Sequence, residues 1–227
     1  MVSGGKTMVV EVWSDFMCPY CYLGTRMLKS ALAEFPHRNE VDVVWKSYQL
    51  DPAIRTDPGM DVYQFLARKG FDRATVMRAH EELREKGARQ GIVFAFENSV
   101  VANSFNAHRL MHFARESNNQ ERTHDALFRA HFTDGRNLDD EATLIAIGVE
   151  VGLDAAELAR ALRSDAYADA VRADVQEARD LGIEAVPHFM FDRNHEVIGA
   201  EGSVLLLRTL EVAFREWVDN GGCREGA

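Results

Sequence analysis

Two cysteines, separated by two residues, stand where a strand pattern gives way to a helical one. That junction constrains this chain more than any other feature. Met8 to Ser14 (MVVEVWS) is valine-rich with partial alternation and reads as a strand. From Cys18 to Phe35 the period changes. Leu23, Met27, Leu28, Ala31 and Leu32 recur at helical spacing, and Pro36 ends the run because proline disfavours helical geometry in the residue before it. Val41 to Leu50 (VDVVWKSYQL) reads as a second strand. The chain is expected to open as β–α–β, with Cys18-Pro19-Tyr20-Cys21 at the first strand-to-helix turn.

That position suits thiol chemistry. A thiolate attacks a disulfide, whereas a thiol does not. The N-terminus of a helix presents unpaired N–H groups and a partial positive charge, which favour an anion. Pro19 fits the first turn, where its missing N–H costs nothing. Cys21 lies three residues on, along the same side of the turn, so the pair can close into a disulfide. Cys18, nearer the positive end, is the expected nucleophile and Cys21 the expected resolving thiol. A zinc site is the competing reading, but four-ligand zinc needs a second ligand pair, and the only other cysteine is Cys223 in the tail. No metal is therefore expected. Two buried cysteines paired by chance would not call for the proline and the strand–helix junction around them.

Beyond Asp51-Pro52 and Asp57-Pro58-Gly59 the pattern is helical for over a hundred residues. Asp72 can cap a helix through Met77, His80 and Leu83 to Gly87. Gly91 to Phe96 (GIVFAF) is short, apolar and ambiguous, with extended chain as one reading. Asn103 or Ser104 can cap the next helix, another spans about Gln120 to Phe132, and Asp139 can start one that closes near Gly152. Asp154 with Glu157 resembles a capping box. A helix from Tyr167 to Leu181 ends at Gly182. Pro187-His188-Phe189-Met190-Phe191 and Glu196-Val197-Ile198-Gly199 then read as a hairpin, and Ser203 can cap a last helix through Leu206, Leu210, Phe214 and Trp217. The order is β–α–β, a helical block, then β–β–α. Periodicity alone leaves several α+β arrangements of that order open.

Composition narrows the function classes. A net charge of −10 argues against nucleic acid and anionic membrane as partners, because phosphate contacts need clustered Lys and Arg. No apolar run approaches the roughly 18 to 20 residues that span a bilayer, and the first residues carry no apolar signal segment. Three cysteines are too few for a disulfide scaffold. A cytoplasmic location is therefore expected.

With Phe16-Met17-Cys18-Pro19-Tyr20-Cys21, the helical block and Ala185-Val186-Pro187-His188-Phe189, the chain resembles the DsbA-like thioredoxin-fold family, and within it the cytoplasmic FrnE-type oxidoreductases. The segment Asn103 to Leu110 (NSFNAHRL) is also similar to that subgroup. The resemblance implies an α/β, thioredoxin-like fold with a large all-helical insertion. Residues 8–60 and 182–220 would form the discontinuous thioredoxin-like domain, 61–181 the insertion, and 1–7 and 221–227 the tails. It implies a protein disulfide oxidoreductase or isomerase acting through a mixed disulfide on protein or small-molecule thiols and disulfides. Glutathione is a candidate co-substrate, glutathione or thioredoxin a candidate redox partner, and no other cofactor is expected. It also implies a cis Val186–Pro187 bond facing the dithiol, with the Val186 backbone pairing with substrate; from the residues alone, a trans proline opening an edge strand is equally open. Kappa-class glutathione transferases and 2-hydroxychromene-2-carboxylate isomerases share the fold, but usually carry serine where Cys18 stands. A glutathione-dependent isomerase or transferase is thus one alternative, and a peptide-binding or chaperone module without turnover another.

The remaining candidates divide between chemistry and structure. Pro19 and Tyr20 lie between the cysteines, and Tyr20 can line a substrate groove. His188 follows Pro187, so it either meets the dithiol or is carried across the sheet by strand alternation. Asp15 can raise a nearby thiol's pKa by like-charge repulsion, or simply cap the loop. Asn103, Asn106 and His108 can reach substrate, though capping and surface roles are commoner for such residues. Cys223 reads as a mobile, exposed thiol.

Overall fold

The computed structural model describes residues 7–222. Residues 1–6, Cys223 and the tail beyond it lie outside the described residues. Strands β1 (Met8–Ser14), β2 (Val41–Ser47), β3 (His188–Phe191) and β4 (His195–Ile198) form one sheet in the order β2-β1-β3-β4. β1 pairs with β2 in parallel and with β3 antiparallel, and β3 and β4 form the hairpin. Helix α1 (Pro19–Glu34) makes the parallel crossover from β1 to β2. α9 (Ser203–Trp217) follows β4 and packs beside α1 on the same face. This is the thioredoxin-like fold expected from the resemblance, with the helical insertion between β2 and β3.

The two inner helices are held by regular apolar stripes. α1 buries Leu23, Leu28 and Ala31, while α9 buries Leu206, Leu210, Ala213, Phe214 and Trp217. Each such large side chain contributes about 1.5–3 kcal/mol by leaving water. Opposite them the inward residues of the sheet, Val10, Val12, Phe189 and Phe191, are fully buried.

The insertion consists of α2 (Val62–Arg68), α3 (Arg73–Arg89), α4 (Phe105–Arg115), α5 (Gln120–Phe132), α6 (Glu141–Glu150), α7 (Ala155–Leu162) and α8 (Ala168–Asp180). Its core is continuous with that of the sheet. Tyr22 of α1 stacks on Phe128 of α5 at 5.1 Å, and Phe16 lies 4.9 Å from the same ring. The insertion thus packs against the residues that flank the dithiol. α8 covers the other sheet face, where Trp13, Ala178 and Ile183 form a small cluster. No helix among the described residues is long and apolar enough to cross a membrane.

Some boundaries depart from the sequence reading. β2 stops at Ser47, whose N–H donates to Asp174 at 2.9 Å, and the chain then turns so that the Leu50 N–H reaches Asp15 at 2.8 Å. Gly91 to Phe96 buries alternate residues as a strand would, but among the described residues no strand lies beside it; the Ala95 N–H donates to the Phe132 carbonyl at the end of α5. Asp140, not Asp139, caps α6; Asp139 accepts from Thr56 and Asn106 instead. Ser203 is the first residue of α9 rather than its cap. α2, capped by Asp61, is a short helix that the periodicity did not single out. At Gly182 the positive φ of 71° closes α8, with the Ile183 N–H returning to the Ala178 carbonyl, as expected.

Candidate active site

Asp15, Phe16 and Met17 link β1 to α1. The Cys18 N–H donates to the Asp15 carbonyl at 3.0 Å, and Cys18 takes the capping position with extended backbone, followed by Pro19 in the first turn. The Cys21 N–H donates to the Cys18 carbonyl at 3.1 Å. The two residues therefore share one helical turn, and both thiols are free.

Their surroundings differ. Cys18 keeps 5 % exposure and Cys21 none. Burial pushes the Cys21 thiol well above its usual range, and the adjacent Cys18 sulfur adds to the push. Cys18 sits instead at the N-terminal end of α1, the positive end of the helix dipole. Its Sγ donates to the Val186 carbonyl at 3.7 Å, and the Val186–Pro187 bond is cis. The late segment expected to face the dithiol does so.

Gly24 makes that approach possible. A Cβ added there would lie 2.7 Å from Pro187 Cγ and 3.2 Å from Phe189 Cζ, so only a bare backbone lets α1 close on this strand. Sequence reading missed Gly24. Its place three residues after Cys21, on the face of Cys21, was the available signal.

The other candidates separate. Tyr20 projects into solvent at 43 % exposure beside half-buried Pro19. Its hydroxyl is pushed up by burial, by Glu82 and by Cys18. His188 does not join the dithiol. Strand alternation carries its side chain to the α8 face, edge-on to Trp13 at 6.2 Å and with Nε2 3.2 Å from Glu196. There burial lowers its pKa despite the carboxylate. Its expected place among the substrate-binding residues is corrected accordingly. Asn103 and Asn106 are structural: Asn103 ties down the 52–54 loop and accepts from the Phe105 N–H, and Asn106 bridges Asp139 and Arg109.

Asp15 proves more than a loop cap. It is 1 % exposed, with Oδ2 accepting from the Leu50 N–H at 2.8 Å and Oδ1 from the Met17 N–H at 3.2 Å. His108 Nε2 lies 3.7 Å from Oδ1, at ion-pair rather than hydrogen-bond distance. Burial works to raise this carboxyl, but His108, the Leu50 amide and Ser104 outweigh it and hold it below the usual range. Among the described residues, no group of three or more His, Cys, Asp or Glu side chains is placed to hold a metal ion.

The dithiol lies at a helix N-terminus beside a cis proline, on a four-stranded sheet whose fold known proteins share. The family model for a DsbA-like thioredoxin domain matches residues 9–211. The chain belongs to the DsbA-like thioredoxin family. A probable DsbA oxidoreductase from Streptomyces coelicolor is 38 % identical, with a TM-score of 0.86 over 92 % of this chain and 91 % of that one. Two others share the DsbA-like fold at lower identity. A 2-hydroxychromene-2-carboxylate isomerase is 15 % identical, with a TM-score of 0.71 over 94 % of this chain and 99 % of that one. The cytosolic disulfide reductase DsbM of Pseudomonas aeruginosa, also solved with glutathione, is 18 % identical, with a TM-score of 0.66 over 92 % of this chain and 99 % of that one.

Proposed function

We propose that this chain is a thiol–disulfide oxidoreductase in which Cys18 attacks and Cys21 resolves. The observation that carries the reading is the asymmetry of the pair: one thiol at the mouth of α1 beside the Val186 carbonyl, the other fully buried one turn behind it. In the reductive direction the Cys18 thiolate attacks a substrate disulfide R–S–S–R′. A Cys18–S–S–R bond forms and R′S⁻ leaves. Cys21 then gives up its proton and attacks Cys18 Sγ. RS⁻ leaves, the Cys18–Cys21 disulfide forms, and the substrate has gained two electrons. The reverse sequence oxidises a dithiol substrate.

The Val186 backbone and Pro187 form the wall that an incoming chain meets, with Tyr20 and Pro19 on the helix side. Glutathione fits as co-substrate or reductant because it is a small thiol able to reach a barely exposed sulfur; that DsbM was solved with glutathione supports this choice. A reducing, cytoplasmic setting suits a chain with two of its three cysteines in one dithiol.

The test is equilibration in glutathione buffers of graded ratio, followed by alkylation and mass mapping. The expected result is a reversible two-electron transition confined to Cys18 and Cys21. A stable glutathione adduct on Cys18, with Cys21 free and unreactive, would overturn it in favour of a glutathione-dependent isomerase or transferase. Client binding without turnover, retained in full by Cys18→Ser/Cys21→Ser, would point to a binding module.

A further inference from the structure

β2 is an edge strand. The sheet runs β2-β1-β3-β4, and among the described residues no strand pairs with the outer side of Val41–Ser47. Successive residues of a strand turn their N–H and C=O to opposite sides, so the outward groups can be identified. The Tyr48 N–H donates to the Ser14 carbonyl of β1, which sets the even-numbered residues facing inward. The Ser47 N–H donates to Asp174 of α8 instead, which sets the odd-numbered ones facing outward. The Val41 N–H returns to the Arg38 carbonyl. That leaves the Val41 carbonyl, and both backbone groups of Val43 and Trp45, without a partner among the described residues. Such a row is a template for one more strand.

This outer side opens on a cavity of about 700 Å³, lined by five consecutive residues of β2, 41 to 45. A cavity on one face of a strand would touch alternate residues, because side chains alternate. Contact with all five means that it follows the backbone edge. Leu28 and Leu32 of α1 line one side, and Asn118 and Gln120 at the α4–α5 turn line another. The slot therefore suits a single extended chain. A second copy of β2 would bring its own α4–α5 wall against this one.

Charge selects the chain. Arg38 and Arg115 line the slot, are exposed, and join no ion pair or side-chain hydrogen bond among the described residues. Lys29 also lines it, held by Asp125 at 2.6 Å and Glu121 at 3.2 Å. Of the two acids that line it, Glu121 is thus engaged, which leaves Asp42 against two arginines. On a chain of net charge −10 this is a local reversal of sign.

We propose that the free edge of β2 docks an extended, acidic segment of a partner protein, which adds a fifth strand through Val43 and Trp45 and sets its carboxylates against Arg38 and Arg115. Cys18 and Leu32 stand on the order of 20 Å apart along α1, at about 1.5 Å of rise per residue, so a partner held here leaves the dithiol open. The inference does not depend on the oxidoreductase reading.

The probe is acetyl-(Val-Glu)₃-amide, with acetyl-(Val-Lys)₃-amide as control, titrated into the isotope-labelled full chain and followed by amide NMR. The expected result is shifts centred on Val43 and Trp45, with slower hydrogen exchange at both. The acidic peptide should bind at least about tenfold more tightly than the basic one, the worth of one charge-assisted hydrogen bond. Arg38→Glu/Arg115→Glu should reverse that preference. Val43→Pro should abolish binding yet keep the fold, because an outward N–H is dispensable at an edge. Equal affinity for the two peptides, or unshifted Val43 and Trp45 amides with the acidic one, overturns the proposal. Should the variants fail to fold, the two peptides on the wild-type chain still decide. If Val43 and Trp45 are protected without peptide and the chain sediments as a dimer, the occupant is a second copy and the proposal falls.

Discussion

Two buried polar clusters lie on opposite faces of the sheet, and they are built to different rules. On the α8 face, Asp174 accepts from the Ser47 N–H at 2.9 Å and meets Lys46 and His112 at 3.1 Å. Lys46 also reaches Glu177, and Arg193 bridges Glu177 and Glu11 beside Trp13. Each charge there has a partner of opposite sign. On the α1 face, Cys21 is a buried thiol, Asp15 is satisfied by amides, and His108 Nε2, His131 Nδ1 and both ring nitrogens of His124 have no hydrogen-bond partner. On the α8 face His188 Nε2 also lacks a hydrogen-bond partner, with Glu196 3.2 Å away; a mostly satisfied network specifies one structure, whereas a cluster of unpartnered buried groups calls for a further explanation. The contrast teaches which buried polar groups the scaffold accounts for and which it does not.

The largest effect should come from the α1 face. Cys18→Ser should reduce disulfide exchange to the uncatalysed level while leaving the melting transition in place; retained exchange would remove the distinction between the faces. Asp174→Ala should do the reverse. Removing one partner of a buried ionic network costs about 3 kcal/mol, readable as a lower urea midpoint, while exchange per folded molecule persists.

His131 sharpens the comparison through pH. Burial pushes it down from 6.5 to about 4, so the unfolded chain binds its proton first. Stability is then full above about pH 6.5 and falls as the pH drops toward 4, by on the order of 3 kcal/mol from this residue. Urea midpoints across that range should show the slope, and His131→Asn should flatten it. Smallest in stability is Gly24→Ala. Its methyl must displace Pro187, at a cost of about 1–3 kcal/mol. Exchange should slow by more than that loss of folded protein explains, measured as kcat/KM on a small disulfide.

What the sequence made legible was local. Cys18 and Cys21 announced themselves by spacing, and α5 appeared at its observed limits because helical period and flanking turn residues act within a few positions. The β–α–β opening followed from changes of period. Face and distance were not legible in the same way. The side of the sheet His188 takes depends on its register with Trp13, 175 positions away in number but directly opposite in the ladder. Gly91 to Phe96 carries a strand's alternation, but whether a neighbouring strand exists is a property of the whole fold. Asp15 and His108 look like ordinary capping residues until α4 brings the imidazole to the carboxylate. Gly24 has no pattern of its own and acquires meaning only when Pro187 arrives.

The complete burial of Cys21 has a use outside turnover. In a Cys18→Ser background it is the remaining thiol of the dithiol, and no alkylating reagent can touch it while the junction is closed. Its labelling rate, followed by mass spectrometry as urea is raised, would time how often the β1–α1 junction opens. The thiol proposed to resolve the mixed disulfide would then serve as a clock for the breathing of the fold that hides it.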